Sequence, residues 1–287
     1  MDKASVLDDG LRMEVRRNVA AALAEDVGSG DLTALLISPH AQSRATVMSR
    51  EAAVMCGTAW FDATFEALSP EARVRWHARD GDFAVAGQTL CKIEAPARAL
   101  LTAERTALNF LQLLSAVATV TRRYVDAVAG TKARIVDTRK TLPGLRRAQK
   151  YAVTMGGGLN HRVGLYDGIL IKENHIIAAG GVIEALKAAQ AIAPPGAFIE
   201  VEVESIAELQ MALDAGASMI LLDNMSLDML REAVQIAAGR AVLEASGGVN
   251  LESVRAIAET GVERVSVGSL TKDVKALDLS MRFTESR

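Results

Sequence analysis

The chain has 287 residues and carries 32 Lys and Arg against 35 Asp and Glu, a formal net charge of −3. Half of it is apolar and 23% charged, the balance of a globular protein with a sizeable core. So small a net charge argues against general attraction to nucleic acid or a membrane surface. No apolar run approaches the roughly 18 residues needed to cross a bilayer.

The two cysteines, Cys56 and Cys91, lie far apart in apolar surroundings and read as reduced core thiols. The opening MDKASVLDDGLRMEV is acidic and lacks the apolar centre of a signal peptide, so a cytoplasmic location is expected.

The periodicity predicts a first helix over Arg12–Ala24, with Val15, Val19 and Leu23 on one face, ending at the turn formers EDVGSGDLT. From Ala45 to Ala95 the period shortens to strand-like alternation, which predicts a small, largely antiparallel sheet. Within it DGDFAVAGQTLCKI resembles the hairpins of biotinyl and lipoyl carriers, but without their tip lysine it reads as a structural hairpin. A long helix then starts near Thr102 and links two halves, with Leu101, Leu108, Leu111, Leu114 and Val117 apolar along it. Arg105 falls in its first turn, where position alone suggests a surface ion pair with Glu104 or Glu25.

Beyond Gly130 come six β-rich runs: ARIVDTR, DGILIKEN, AFIEVEVES, SMILLDNM, AVLEASGG and RVSVGSLT. Most are separated by amphipathic helical segments, as parallel βα units are. A barrel, or an open barrel with fewer than eight strands, is the preferred closure, with a doubly wound sheet as the alternative.

In such barrels the functional groups lie where strands run out into loops. Here those positions are polar: Asp137, Arg139 and Lys140; Lys172 and Glu173; Asp223 and Asn224; Glu244, Ser246, Gly247 and Gly248; Gly268 and Ser269. Glu200, Glu202 and Glu204 alternate along the third run and share a face, which calls for nearby cations, a metal or an internal ion-pair layer. Cations also cluster between Lys132 and Lys172. Arg146, Arg147 and Lys150 read as helix-surface charges, while His161 and Arg162 follow the glycines of TMGGGLNHR and suit a loop that closes on a ligand. Without interleaved aromatics the cluster fits a small polyanion better than nucleic acid. ASGGVN and VGSLT set glycines and a hydroxyl at late strand ends, where barrels bind phosphate.

The ordered set DTRKTLPGLRRAQKYAV, GGGLNHRVGLYDGILIKENHI, EVEVES, LLDNMS, EASGGVN and GVERVSVGSLT resembles the successive signatures of the quinolinate phosphoribosyltransferase family. LAEDVGSGDLT and LLTAERTALNFLQ carry the likeness into the N-terminal half, and LTKDVKALDLSMRF fits a return of the chain to that half. The resemblance implies an N-terminal α/β sandwich at 1–114, an incomplete six- to seven-stranded α/β barrel at 115–274 and a returning segment at 275–287. It further implies phosphoribosyl transfer from phosphoribosyl pyrophosphate to quinolinate with loss of CO2, in a cytoplasmic, Mg2+-using homodimer whose active site is shared between subunits. Quinolinate would meet the partner's Arg105 with Arg139, His161, Arg162 and Lys172, while Lys140 faces pyrophosphate and Thr138 stands beside it. Glu202 and Asp223 would contact the ribose hydroxyls and the metal; Ser246, Gly247, Gly248, Val267, Gly268 and Ser269 would surround the 5′-phosphate. Lys140, Lys172, Glu202 and Asp223 form the expected catalytic set. A pyrophosphorylase-like relative with another acceptor, a Schiff-base lyase using Lys172 and a phosphate-binding sensor are the competing readings, and the full cationic set favours the first.

Overall fold

The computed structural model of the chain describes residues 7–284; residues 1–6 and 285–287, at the outer ends of the segments expected at 1–114 and 275–287, lie outside them. The signal-peptide reading therefore falls partly outside the described residues. Two compact units are present. The first takes in the described residues up to Arg122, Leu142–Gly157 and those from Asp273 onward; the second comprises Arg123–Thr141 and Gly158–Lys272.

In the first unit, helix α1 (Asp9–Asp26) starts where the Asp8 carboxylate accepts the Leu11 N–H at 2.7 Å, an N-cap that satisfies one orphan donor. Strands β1 (Gln42–Ser49) and β2 (Ala53–Val54), helix α2 (Thr58–Leu68) and strands β3 (Arg73–Trp76), β4 (Phe83–Ala84) and β5 (Thr89–Pro96) follow. The antiparallel sheet runs from the last strand of the chain, Leu279–Thr284, through β1 and β5 to β3. Ala45, Val47, Cys91 and Ile93 face a core shared with Phe61 and Phe65, and a register shift at Val47/Met48 interrupts the alternation. Cys56 and Cys91 are free and buried.

The expected hairpin is corrected. β4 pairs with β2, through Ala53–Ala84 and Val54–Phe83, and not with β5. The connection is pinned to the end of β1 instead: Gly87 N–H donates to Ser49 O and Ser49 N–H to Gln88 O, so the chain changes sheets between β4 and β5.

Helix α3 (Ala97–Ala127) starts at Ala97, directly after Pro96, rather than near Thr102. Proline cannot extend the ladder and its fixed φ suits a helix entry. Arg105 consequently lies two turns into α3, and Leu101 is exposed rather than part of the buried face. Helix α4 (Arg146–Met155) corrects a third expectation: Arg147 is exposed, but Lys150 is only 2% exposed. Ala148, Gln149, Lys150, Ala152 and Val153 are all buried, so most of the helix circumference is covered and charge alone does not mark its outer face.

The second unit repeats strand and helix: β6 (Arg134–Val136), β7 (Gly168–Ile171), helices α5 (Glu173–Ala179) and α6 (Val182–Ile192), β8 (Phe198–Val203), α7 (Ile206–Asp214), β9 (Met219–Asp223), α8 (Leu227–Ala237), β10 (Val242–Ser246), α9 (Val254–Ala258), β11 (Arg264–Ser266) and α10 (Ser269–Lys272). Ser205 and Ser226 cap α7 and α8 through their side chains. The six strands are parallel in the order β6–β11–β10–β9–β8–β7. Consecutive strands are neighbours, and the first pairs with the last. A doubly wound sheet instead reverses direction at a switch point, so this is a barrel opened at one seam. At that seam Leu159 makes a single parallel bridge to Val136, the remnant of a seventh position. No single helix among the described residues is long and apolar enough to cross a membrane.

Candidate active site

The polar strand ends of the barrel are built by its pairing. After β6, Thr138 Oγ1 accepts the Lys140 N–H at 3.1 Å and Lys140 O accepts the Thr271 hydroxyl at 2.8 Å, which fixes the turn that displays Arg139 and Lys140. Val267 N–H donates to Val136 O at 2.9 Å and holds the exit of β11 alongside. Any side chain on Gly268 would approach Lys140 Cδ to 3.1 Å, so glycine there leaves room for the lysine stem. Ser269 follows, its hydroxyl 3.4 Å from Tyr124 Oη.

Registers set the next group. Ile171 pairs with Val201, which brings Lys172 beside Glu202, and Lys172 Nζ donates to Glu202 Oε2 at 2.5 Å. Asp223 pairs with Ser246 at the ends of β9 and β10. Asn224, at φ 55°, donates its amide to Asp223 Oδ2 at 2.7 Å and its backbone N–H to Ser246 O at 2.9 Å. Gly247 sits against this turn at φ +106°, and a Cβ on it would lie 2.1 Å from Asn224 Oδ1. Gly247 has both reasons to be glycine, conformation and space. The backbone N–H groups of Gly247, Gly248 and Gly268 meet no backbone acceptor among the described residues, leaving donors turned out at late strand ends.

Below these ends lies a buried charged layer. His161 Nδ1 accepts the Arg162 backbone N–H at 2.8 Å. A backbone N–H only donates, so the ring proton resides on Nε2, which donates to Glu200 Oε2 at 2.7 Å. The edge of Phe198 packs on the imidazole, and Asp137 Oδ1 accepts the His161 N–H at 2.8 Å. Arg264 Nε donates to Glu244 Oε2 at 2.6 Å across the β10–β11 register. Burial pushes Glu200 up to about 7, opposed by the Arg264 cation and assisted by the neighbouring Glu202 charge. Burial likewise raises Glu244, with the Glu200 charge adding to it. Each keeps one buried oxygen, Oε1, without a hydrogen-bond partner among the described residues.

Three expectations change here. His161 and Arg162 are each only 8% exposed and belong to the interior, not to a loop that closes over a ligand. Of the glycines before them, Gly156 serves packing, since a Cβ on it would lie 2.5 Å from Ala118 O, while Gly157 takes a φ of +91°. Glu204 lies past the end of β8, exposed, with its N–H on Glu208, so only Glu200 and Glu202 share the inner face. Their partners differ: Glu200 accepts from the buried His161 ring, whereas Glu202 forms an ion pair with Lys172 nearer the mouth.

Arg162 Nη1 donates to Gly168 O at 3.1 Å, and its affinity for its proton is lowered by burial first and by the Arg139 cation second. The Arg139 cation thus acts on Arg162 through space near the strand ends. Every site residue expected from the sequence except Arg105 lies in this second unit. Arg105 is exposed on α3 in the first, and makes no ion pair with Glu104 or Glu25 among the described residues. Arg264 and the buried side of Asp137 escaped sequence reading. The one available signal was an arginine and a glutamate, each inside an apolar strand.

Cations and glycine turns at the strand ends of an incomplete parallel barrel define an α/β-barrel enzyme of the kind that works on small anionic ligands. The chain belongs to the quinolinate phosphoribosyltransferase family, matching that family's N-terminal domain over residues 31–115 and its C-terminal domain over residues 117–282. It is 43% identical over 262 residues to the probable nicotinate-nucleotide pyrophosphorylase (carboxylating) of Bacillus subtilis, covering 91% of each chain. With the nicotinate-nucleotide pyrophosphorylase (carboxylating) of Mycobacterium leprae it shares 50% identity over 212 residues, 73% of this chain and 74% of the relative. Among solved structures, the nicotinate-nucleotide pyrophosphorylase from Francisella tularensis superposes with a TM-score of 0.92 at 42% identity, over 95% of this chain and 97% of that one.

Proposed function

We propose that the chain is a pentosyltransferase that moves the phosphoribosyl group of phosphoribosyl pyrophosphate to the ring nitrogen of quinolinate. Pyrophosphate and CO2 leave, and nicotinate mononucleotide enters NAD biosynthesis. The observation that carries this reading is the pair Arg139 and Arg162, where the Arg139 cation lowers the affinity of buried Arg162 for its proton. A ligand with two adjacent carboxylates relieves that repulsion, and planar guanidinium groups take carboxylates bidentately.

In this reading Arg139, Arg162 and Lys172 hold the two carboxylates. The His161 ring is already bonded on both nitrogens, so it serves the pocket by fixing Arg162. Lys140, steadied by Thr138, faces the pyrophosphate. The donors of Gly247, Gly248, Gly268 and Ser269, with Ser246 and Val267 beside them, cradle the 5′-phosphate.

Glu202 and Asp223 suit Mg2+: both offer hard oxygen ligands at adjacent strand ends, and the hydrogen bonds to Lys172 and Asn224 each engage only one oxygen. Bound there, Mg2+ would neutralise charge on the pyrophosphate. The same carboxylates face the ribose, where positive charge builds as the pyridine nitrogen attacks the anomeric carbon and the C–O bond to pyrophosphate breaks. The quaternised nitrogen then stabilises the electron pair that the departing CO2 leaves on C2, an ylid, and that carbon takes a proton from water. The family match, with Lys172 held in an ion pair to Glu202, favours charge pairing over the Schiff-base lyase reading for Lys172.

The working unit in this reading is a cytoplasmic homodimer with shared sites. Leu32 and Leu36, both 82% exposed, and Leu35 form an apolar surface on the first unit. Asp31 and Arg98 bind that segment to α3 through Thr102 and Ile37, and Arg105 follows exposed Leu101 by one turn. A second copy covering this surface would receive Arg105 in its own barrel. Free, buried Cys56 and Cys91 suit a reducing cytoplasm.

The test is incubation with quinolinate, phosphoribosyl pyrophosphate and Mg2+, followed by measurement of CO2 and nicotinate mononucleotide. Equal amounts of both support the reading; turnover with another base but not quinolinate refutes it. For the shared site, mixed Arg105→Ala and Lys172→Ala proteins should recover part of the activity, and exchange without rescue excludes it.

A further inference from the structure

We infer that Glu200, Glu244 and Arg264 form a positioning layer that aims Arg162 at the acceptor through the His161 ring. The inference rests on the reading of Arg162 as a carboxylate-binding residue.

The chain of contacts is continuous. Arg264 on β11 holds Glu244 on β10 at 2.6 Å, and Glu244 Oε1 stands 3.9 Å from His161 Nε2. Glu200 on β8 accepts the Nε2 proton at 2.7 Å, while Nδ1 on the opposite side of the ring receives the Arg162 backbone N–H at 2.8 Å. With Gly168 O holding its guanidinium at 3.1 Å, Arg162 is fixed from both ends. Glu200 and Glu244 are fully buried, each with one unpartnered oxygen. Such groups add little to stability that apolar side chains of similar volume would not match. What they do supply is direction: one acceptor orients one imidazole, and the imidazole orients one backbone amide.

The same geometry removes the competing use of the cluster. His161, Glu200 and Glu244 lie close enough to hold a cation. With Nδ1 accepting a backbone N–H, however, Nε2 bears the proton and is no metal ligand. The layer orients rather than ligates.

The experiment compares Glu200→Met and Glu200→Gln by steady-state kinetics in both substrates. Gln keeps an acceptor for Nε2 and should leave the quinolinate KM within about threefold of wild type. Met removes it and should raise that KM about 10- to 100-fold, the scale of a misplaced binding group, with the phosphoribosyl pyrophosphate KM unchanged. Adding Glu200→Met to Arg162→Met should cost nothing more, because the acid acts through the arginine. An unchanged quinolinate KM in folded Glu200→Met, an equal rise for both substrates, or additive losses in the double variant overturns the inference. If Glu200→Met does not fold, the charge-balanced Glu244→Met/Arg264→Met protein carries the same comparison. Wild-type turnover of quinolinate separates the two levels: without it the functional reading falls and takes this one with it, whereas with it only the positioning role is at stake.

Discussion

Glu200 and Glu202 stand two residues apart on the same face of β8, yet one is sealed in the barrel and the other opens at its mouth. Glu200 is walled in by groups of fixed geometry, His161 and, through Glu244, Arg264. Among the described residues Glu202 pairs with the Lys172 ammonium, on a flexible stem whose side chain is 48% exposed. Burial is what separates them: the inner group depends on partners the fold supplies, while the outer one, its side chain 13% exposed, retains contact with solvent.

The contrast breaks most sharply at Glu244. Glu244→Leu leaves the Arg264 cation without its buried partner and should cost about 3–5 kcal/mol of stability, read as a fall in denaturation midpoint. The charge-balanced Glu244→Met/Arg264→Met pair should recover most of it. Mouth residues should behave in the opposite way. Lys172→Ala is expected to lower kcat/KM by about 10²–10³-fold with a melting temperature close to wild type; a large stability loss there would erase the distinction.

Gly247→Ala tests the mouth backbone. Its positive φ and the 2.1 Å approach to Asn224 Oδ1 predict a stability loss of about 1–3 kcal/mol together with a raised KM for phosphoribosyl pyrophosphate. The smallest effect is expected in the first unit, at Asp62. Burial pushes this acid up to about 6 from 3.8, although Trp76 Nε1 donates to it at 2.9 Å. Its folded pKa is raised, so the folded protein binds the proton more tightly than the unfolded chain. Stability contributed by that proton is present below the unfolded value and is lost as pH rises through about 6. Asp62→Asn keeps an acceptor for Trp76 and should stabilise the protein by about 1–2 kcal/mol at pH 7.5 but not at pH 3.5. Calorimetric melts at the two pH values check it.

The barrel was the most legible part of the sequence. Six apolar runs alternating with helical segments translate directly into parallel strands, and their polar ends into a mouth. What escaped were outcomes of long-range packing. The β2–β4 pairing depends on contacts with the end of β1, not on the local turn residues. Lys150 reads as surface by charge, but the cover around α4 decides its burial. His161 and Arg162 look like loop residues behind a glycine run, although Gly156 is there so that α4 can approach α3. Glu244 and Arg264 meet only through strand register, a relation twenty residues apart that periodicity does not carry.

In the proposed reading the Arg139 and Arg162 guanidinium groups receive the two adjacent carboxylates of quinolinate. Isothermal titration of wild-type protein with quinolinate and with nicotinate, which lacks the second carboxylate, tests it most directly. Quinolinate should bind at least about tenfold more tightly, the worth of one charge-assisted bidentate contact. Arg139→Gln should collapse that ratio towards one. Equal affinity for the two acids in the wild-type protein would contradict the account.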